Sequence, residues 1–163
     1  MTLNAQEPDA GNGYRADHAL ILLGSHRQLT GRDLLPASLP PALAACELYH
    51  APFVVLSHDT AADPLFTYAN LAAQRAFEMP WREIVGLPSR YSAEPLQRDE
   101  RQRLLERVAS QGYIDDYQGV RISRTGKRFR VSNATVWNLS GEHGLPVGQA
   151  ATFSAWDELP GLG

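Results

Sequence analysis

The chain has 163 residues, 44% of them hydrophobic and 20% charged, with a net charge of −3. That is enough for one globular domain with its own core and too little for two. The charge gives no broad attraction for nucleic acid, the lone Cys46 excludes a disulfide framework or cysteine-rich zinc site, and no apolar run spans a bilayer.

The start lacks the basic and apolar regions of a secretory signal, so the expected location is cytoplasmic, with no membrane partner and no nucleic acid. Residues 1–16 carry almost no large apolar side chains and read as a leader without fixed structure. Residues 17–47 form a helical extension. Asp17 is its candidate N-cap, and Gly24 and Gly31 predict a helix that is weakened or broken in two. Pro36, Pro40 and Pro41 mark a linker before a short helix that ends near Tyr49.

The body is residues 48–157, with 158–163 as a tail. FVVLSHD and LFTYA read as two strands joined by the turn TAADP. Asn70 stands before LAAQRAF as a helix N-cap, and PWREIVG gives a further helical turn that starts at Pro80 and stops at Gly86. The clearest helix spans about Leu96 to Gln111, with Leu104 and Val108 four apart and Gly112 as terminator. Before it, Glu94 and Arg98 have the spacing of a helix-entry ion pair, with a ligand-gating loop as the alternative. Three strands follow: Tyr113–Ser123, Lys127–Asn138 and Val147–Ala155. The order predicts an α+β fold, a five-stranded antiparallel sheet with short helices on one face and an N-terminal helical extension.

The strands Tyr113–Ser123 and Lys127–Asn138 raise the main chemical question. A two-residue Thr125-Gly126 turn would pair Ile122 with Phe129, Val120 with Val131 and Arg121 with Arg130. Arg121, Arg128 and Arg130 then share one face, where like charges require something negative beside them. Neutralisation by Asp115, Asp116 or Glu94 is the simpler reading. An anionic ligand or a partner's acidic segment, held by the guanidinium forks, is the sharper one. The opposite row, Val120, Ile122, Phe129, Val131 and Trp137, should line the core. Asn133 and Thr135 fall in that row, bonding backbone or orienting a small molecule. Phe53, Val55, Tyr68, Gln149 and Phe153 are further wall residues.

His58 and Asp59 lie side by side, but a neighbouring pair alone supplies no nucleophile and no oxyanion site. No two histidines have the i, i+4 spacing of a helical metal site.

FTYANLAAQRAF followed by WREIVGLP resembles the PAS fold. SAEP, GYIDDYQGVRIS, RFRV, ATVWN and GQAATF together resemble the MEKHLA-type PAS-like domain, over about Leu48 to Trp156. That domain occurs as small stand-alone bacterial proteins and at the C-terminus of plant homeodomain–leucine-zipper factors. The resemblance implies a non-enzymatic sensory or regulatory module that binds a small molecule or a protein partner, and it names no settled ligand. The competing readings are a small enzyme acting in the same cavity and an interaction module with none. A haem-type PAS domain would offer a histidine from the helix Leu96–Gln111, which has none. Covalent flavin photochemistry would need a cysteine near that helix, and Cys46 precedes the first strand. Non-covalent flavin stays open, and the cofactor is unknown. The candidate ligand contacts are Tyr68, Asn70, Arg121, Arg130, Asn133, Trp137 and Gln149. The helical extension is expected to pack on the sheet or on a second subunit, as a homodimer.

Overall fold

The computed structural model describes residues 6–93 and 98–160. Part of the leader has a fixed path: Asp9 and Asn12 cap each other reciprocally at the head of a 3-10 turn over Ala10–Arg15. Helix α1 (Ala16–Thr30) follows, with Arg15 at its N-cap position. Asp17, the expected cap, lies inside the first turn. The helix runs unbroken through Gly24 and stops at Gly31. Helix α2 (Pro41–His50) begins at Pro41, whose missing N–H and fixed φ suit a first helical position.

Strands β1 (Val54–His58) and β2 (Phe66–Ala69) form the expected antiparallel pair. Helices α3 (Leu71–Phe77), α4 (Trp81–Ile84) and α5 (Arg98–Gln111) come next. Strands β3 (Tyr113–Ile122), β4 (Arg128–Ser140) and β5 (Pro146–Phe153) complete the expected five. A sixth, β6 (Trp156–Glu158), was not foreseen and pairs with the first half of β4. The sheet order is β2-β1-β5-β4-β3, with β6 beside β4. The Glu94–Arg98 pair and the start of the helix at Leu96 lie outside the described residues.

The register of β3 and β4 differs from expectation by one residue. Ile122 faces Arg128, Arg121 faces Phe129 and Val120 faces Arg130. The cause is a three-residue loop, Arg124-Thr125-Gly126, closed by the Ser123 N–H on the Lys127 carbonyl at 2.8 Å. Gly126 holds the left-handed position at φ +91° that such loops need. A one-residue slip turns every side chain to the other face. Arg121 therefore shares the face of the buried Phe129, while Arg130 is exposed and faces Asp157 of β6.

A bulge in β4 then changes the alternation again. Asn133 has φ +54°, and the pairing shifts between Gly119↔Val131 and Tyr117↔Ala134. Two residues of β4 stand against one of β3, so the strand turns over. Phe129, Val131 and Ala134 pack on the face beneath α3 and α4, and Val136 packs against α5 through Leu104 and Val108. Trp137 and Leu139 point the other way. Asn133 is exposed on the bulge and is not among the described lining residues of the cavity beneath the sheet.

The outer face of the sheet is covered by the chain's own N-terminal helices. Ala19 and Leu22 of α1 and Ala45 and Leu48 of α2 are buried against Val55, Tyr68 and Trp137. Polar bonds fix the docking. The Trp137 indole donates to the Leu22 carbonyl at 3.3 Å, the Ser140 N–H donates to Ser25 Oγ at 3.0 Å, and His18 Nε2 lies 2.9 Å from Ser57 Oγ. Burial, with Arg15 nearby, pushes the His18 pKa down to about 4, so the imidazole is neutral where it sits.

The inner layer is tied to this outer one by Asn70, which is fully buried. Its Oδ1 accepts from the Ala73 N–H at 3.1 Å, capping α3, and from the Val55 N–H at 3.0 Å. Its Nδ2 donates to the Leu48 carbonyl at 3.1 Å and the Phe53 carbonyl at 2.8 Å. Every bonding position of the amide is used.

Asn70→Ala leaves four buried backbone groups without that partner and is expected to cost about 3 kcal/mol or more in urea unfolding; a loss under ~1 kcal/mol would refute the role. His18 gives a pH signature. Its folded pKa lies below the ordinary 6.5 of the unfolded chain. The unfolded state therefore binds more protons between those values, and stability present above pH 6.5 is lost as the pH falls towards 4, by on the order of 3 kcal/mol. His18→Gln should flatten the slope in that window, and an unchanged slope rules the account out.

Candidate functional site

A cavity of about 50 Å³ lies between the inner face of the sheet and α5. Leu56, Phe66, Phe77, Val131, Ala134 and Phe153 give apolar walls, and Leu104 and Leu105 of α5 form the roof. Its polar ends differ. Arg121 and Tyr117 stand at the level where β3 faces Phe129 to Ala134. At the other end Gln149 of β5 stands between its pairing partners, His58 of β1 and Asn138, which is several residues further along β4.

At the first end, the Tyr117 ring lies along its strand over Gly119, where a Cβ would come within 2.0 Å of the phenol oxygen. The Arg121 guanidinium sits 5.3 Å from the centre of that ring, a cation–π contact. Asp115, one expected neutraliser, instead bonds Arg32 at 3.1 Å. The β3–β4 loop is bolted to α3 nearby. Glu78 accepts from Ser123 Oγ and Thr125 Oγ1, each at 2.6 Å, and those bonds hold its carboxyl below the usual range. The Arg124 N–H also donates to the Phe77 carbonyl at 3.0 Å.

Next to the other end lies a groove of about 450 Å³ between α5 and the β1–β2 loop. Cavity and groove share His58, Leu105 and Gln149. His58 Nδ1 donates to the main-chain oxygen of Asp59 at 2.9 Å. The Asp59 carboxylate accepts from the N–H groups of Ala61 and Leu65 at 3.1 and 3.0 Å. These bonds hold the turn. Among the described residues no cluster of three or more histidine, cysteine, aspartate or glutamate side chains could hold a metal.

Of the seven candidate ligand contacts, the fold brings Arg121 and Gln149 to the cavity. Tyr68 and Trp137 are buried on the opposite face under α1 and α2, and Asn70 is used up in bonding backbone. Arg130 and Asn133 are on the surface, so the expected arginine cluster does not form. Phe153 lines the cavity as expected, whereas Phe53 and Val55 pack outside. Tyr68, beside the rings of His18, Tyr49 and Trp81, has a hydroxyl with no hydrogen-bond partner among the described residues, and burial raises its pKa. Cys46 lies on α2, 3.7 Å from His50 Nδ1, on the opposite side of the sheet from the cavity. Sequence reasoning missed Tyr117 and the groove. The Leu104–Val108 stripe of α5 was visible as a packing face, but nothing local shows that a hollow lies beneath it.

The family model described as the MEKHLA domain matches residues 16–158, so it includes α1 and α2 as well as the sheet. The fold is similar to a PAS domain from Colwellia psychrerythraea, at 12% identity and a TM-score of 0.60, covering 72% of this chain and 94% of that one. It is also similar to a fungal LOV domain photoreceptor, at 14% identity and a TM-score of 0.57, covering 85% and 91%. No curated protein matches the chain. Identities this low establish the shared fold alone. No helix among the described residues is long and apolar enough to cross a membrane.

Proposed function

The chain belongs to the MEKHLA domain family, and from that premise we propose that it is a non-enzymatic sensory module that holds a small molecule between its sheet and α5. The observation that carries this reading is the apolar cavity itself, with a guanidinium at one end and a carboxamide at the other. Protein interiors are close-packed, and an apolar hollow with a few polar groups at its ends shares the lining, though not the size, of ordinary ligand pockets. At about 50 Å³ it favours a compact molecule. An apolar cavity of roughly 150 Å³ is what benzene occupies, so a tricyclic flavin would need α5 to move outward.

The same helix is the natural element to report occupancy. It packs on the sheet through Leu104 and Val108, and two amide side chains bond its carbonyls: Asn138 to Val108 at 3.0 Å and Gln149 to Leu105 at 3.3 Å. A ligand that favours one position of α5 shifts the population towards it, and the shift passes to a partner protein or a second copy of the chain.

Native mass spectrometry of freshly purified protein tests the reading. A mass excess that disappears on denaturation is expected in the wild type. Ala134→Leu fills the hollow beside Val131 and should abolish it without loss of fold. An adduct that survives Ala134→Leu, or none in wild type from several growth conditions, would overturn the proposal.

A further inference from the structure

The neck between cavity and groove has its own chemistry, set by a chain of amides whose orientations leave no choice. Asn138 Nδ2 donates to the Val108 carbonyl at 3.0 Å, so Asn138 turns its Oδ1 towards Gln149. Gln149 must then present its NH2 group, and both N–H bonds are used, to Asn138 Oδ1 at 3.0 Å and to the Leu105 carbonyl at 3.3 Å. Gln149 Oε1 is left over. It is buried and has no hydrogen-bond partner among the described residues. A buried acceptor without a donor costs free energy that a bound donor would recover.

The groove outside adds a charge preference. Asp59 and Glu106 are its carboxylates, and no lysine or arginine is among its described lining residues. The guanidinium in the cavity, Arg121, stands at the far end against Tyr117, and Arg130 is on the other face of β4, so these two form no clamp for an anion. Inside the neck the walls turn apolar, with Leu56, Phe66, Val131 and Phe153.

Resting on the cavity reading above, we infer that the site takes a small protonated amine with a short apolar tail, its N–H donating to Gln149 Oε1. The tail enters the cavity and the charge stays at the neck, under the field of Asp59 and Glu106. Because the Gln149 amide also bonds Leu105 of α5, the ligand's donor acts on the group that ties this helix to the sheet.

The test is an NMR titration of uniformly ¹⁵N-labelled full chain at neutral pH and constant ionic strength. Three probes of matched length are used: n-butylamine, butan-1-ol and butyrate. Saturable shifts are expected at the amides of His58, Leu105 and Gln149, with n-butylamine bound about fivefold more tightly than butan-1-ol, as one half-buried and one exposed carboxylate would give, and butyrate weakest. Gln149→Leu should weaken both donors. Glu106→Gln, a surface change that leaves the fold intact, should narrow the margin of amine over alcohol. If butan-1-ol or butyrate saturates the same amides as tightly as the amine, the amine assignment falls and the ligand cavity stands. Should none of the three move a cavity amide, the assignment also falls, and the adduct measurement on purified protein judges the cavity separately.

Discussion

One buried carboxamide governs how the layers meet. Asn70 takes two N–H groups and gives to two carbonyls, all from backbone, and those groups belong to α3, β1, α2 and the stretch that leads from α2 into β1. That stretch, from Ala51 to Phe53, has no helix or strand of its own to satisfy its polar groups. Buried backbone that is neither helical nor paired must find partners, and a side chain with two donors and two acceptor sites supplies them. The Asn70 N–H adds a bond to the Val55 carbonyl at 3.0 Å. The end of α2 is therefore fixed relative to β1, and α1 packs on α2 and the sheet from that position.

The local half of this arrangement is legible in sequence. Asn before LAAQRAF is a helix cap by any reading, Pro41 opens α2, and the strands carry β-branched and aromatic residues. The other half is not, because the partners of Asn70 in β1 and α2 lie 15 and 22 residues earlier. The hairpin teaches the same lesson more sharply. Thr125-Gly126 is a turn signal, yet whether the loop has two residues or three depends on where Gly126 takes its left-handed conformation. Ser123 decides it by closing the longer loop and bonding Glu78. The slip moved Arg121 inward and separated it from Arg130. Asn133 then looked like a polar residue in a core row because strict alternation was assumed. A bulge breaks alternation, and a non-glycine residue at positive φ is invisible until the backbone is seen.

These two events in β4 divide its side chains between two unlike environments. Val131, Ala134 and Val136 serve the cavity side, while Trp137 and Leu139 receive α1. The outer face is closed tightly: Trp137 is fully buried, and its indole N–H is paired to a main-chain oxygen of α1. Breaking that contact would expose a large aromatic surface together with an unsatisfied donor, so the α1 layer is the rigid half of the molecule. A conformational response is cheaper on the α5 side, where the helix buries few apolar residues.

Even there the cavity is not symmetric. At the Arg121 end the β3–β4 loop is fastened to α3 and α4 by Glu78, by the Phe77 carbonyl and by the Arg124–Glu83 ion pair at 2.5 Å. Several bonds over a few residues make that end a wall. At the Gln149 end the boundary consists of His58, one leucine of α5 and a carboxamide whose oxygen has no hydrogen-bond partner among the described residues. On the proposed ligand reading, a molecule that enters displaces less at the Gln149 end than at the fastened Arg121 end, so that Gln149 is the side of entry and Arg121 the stop.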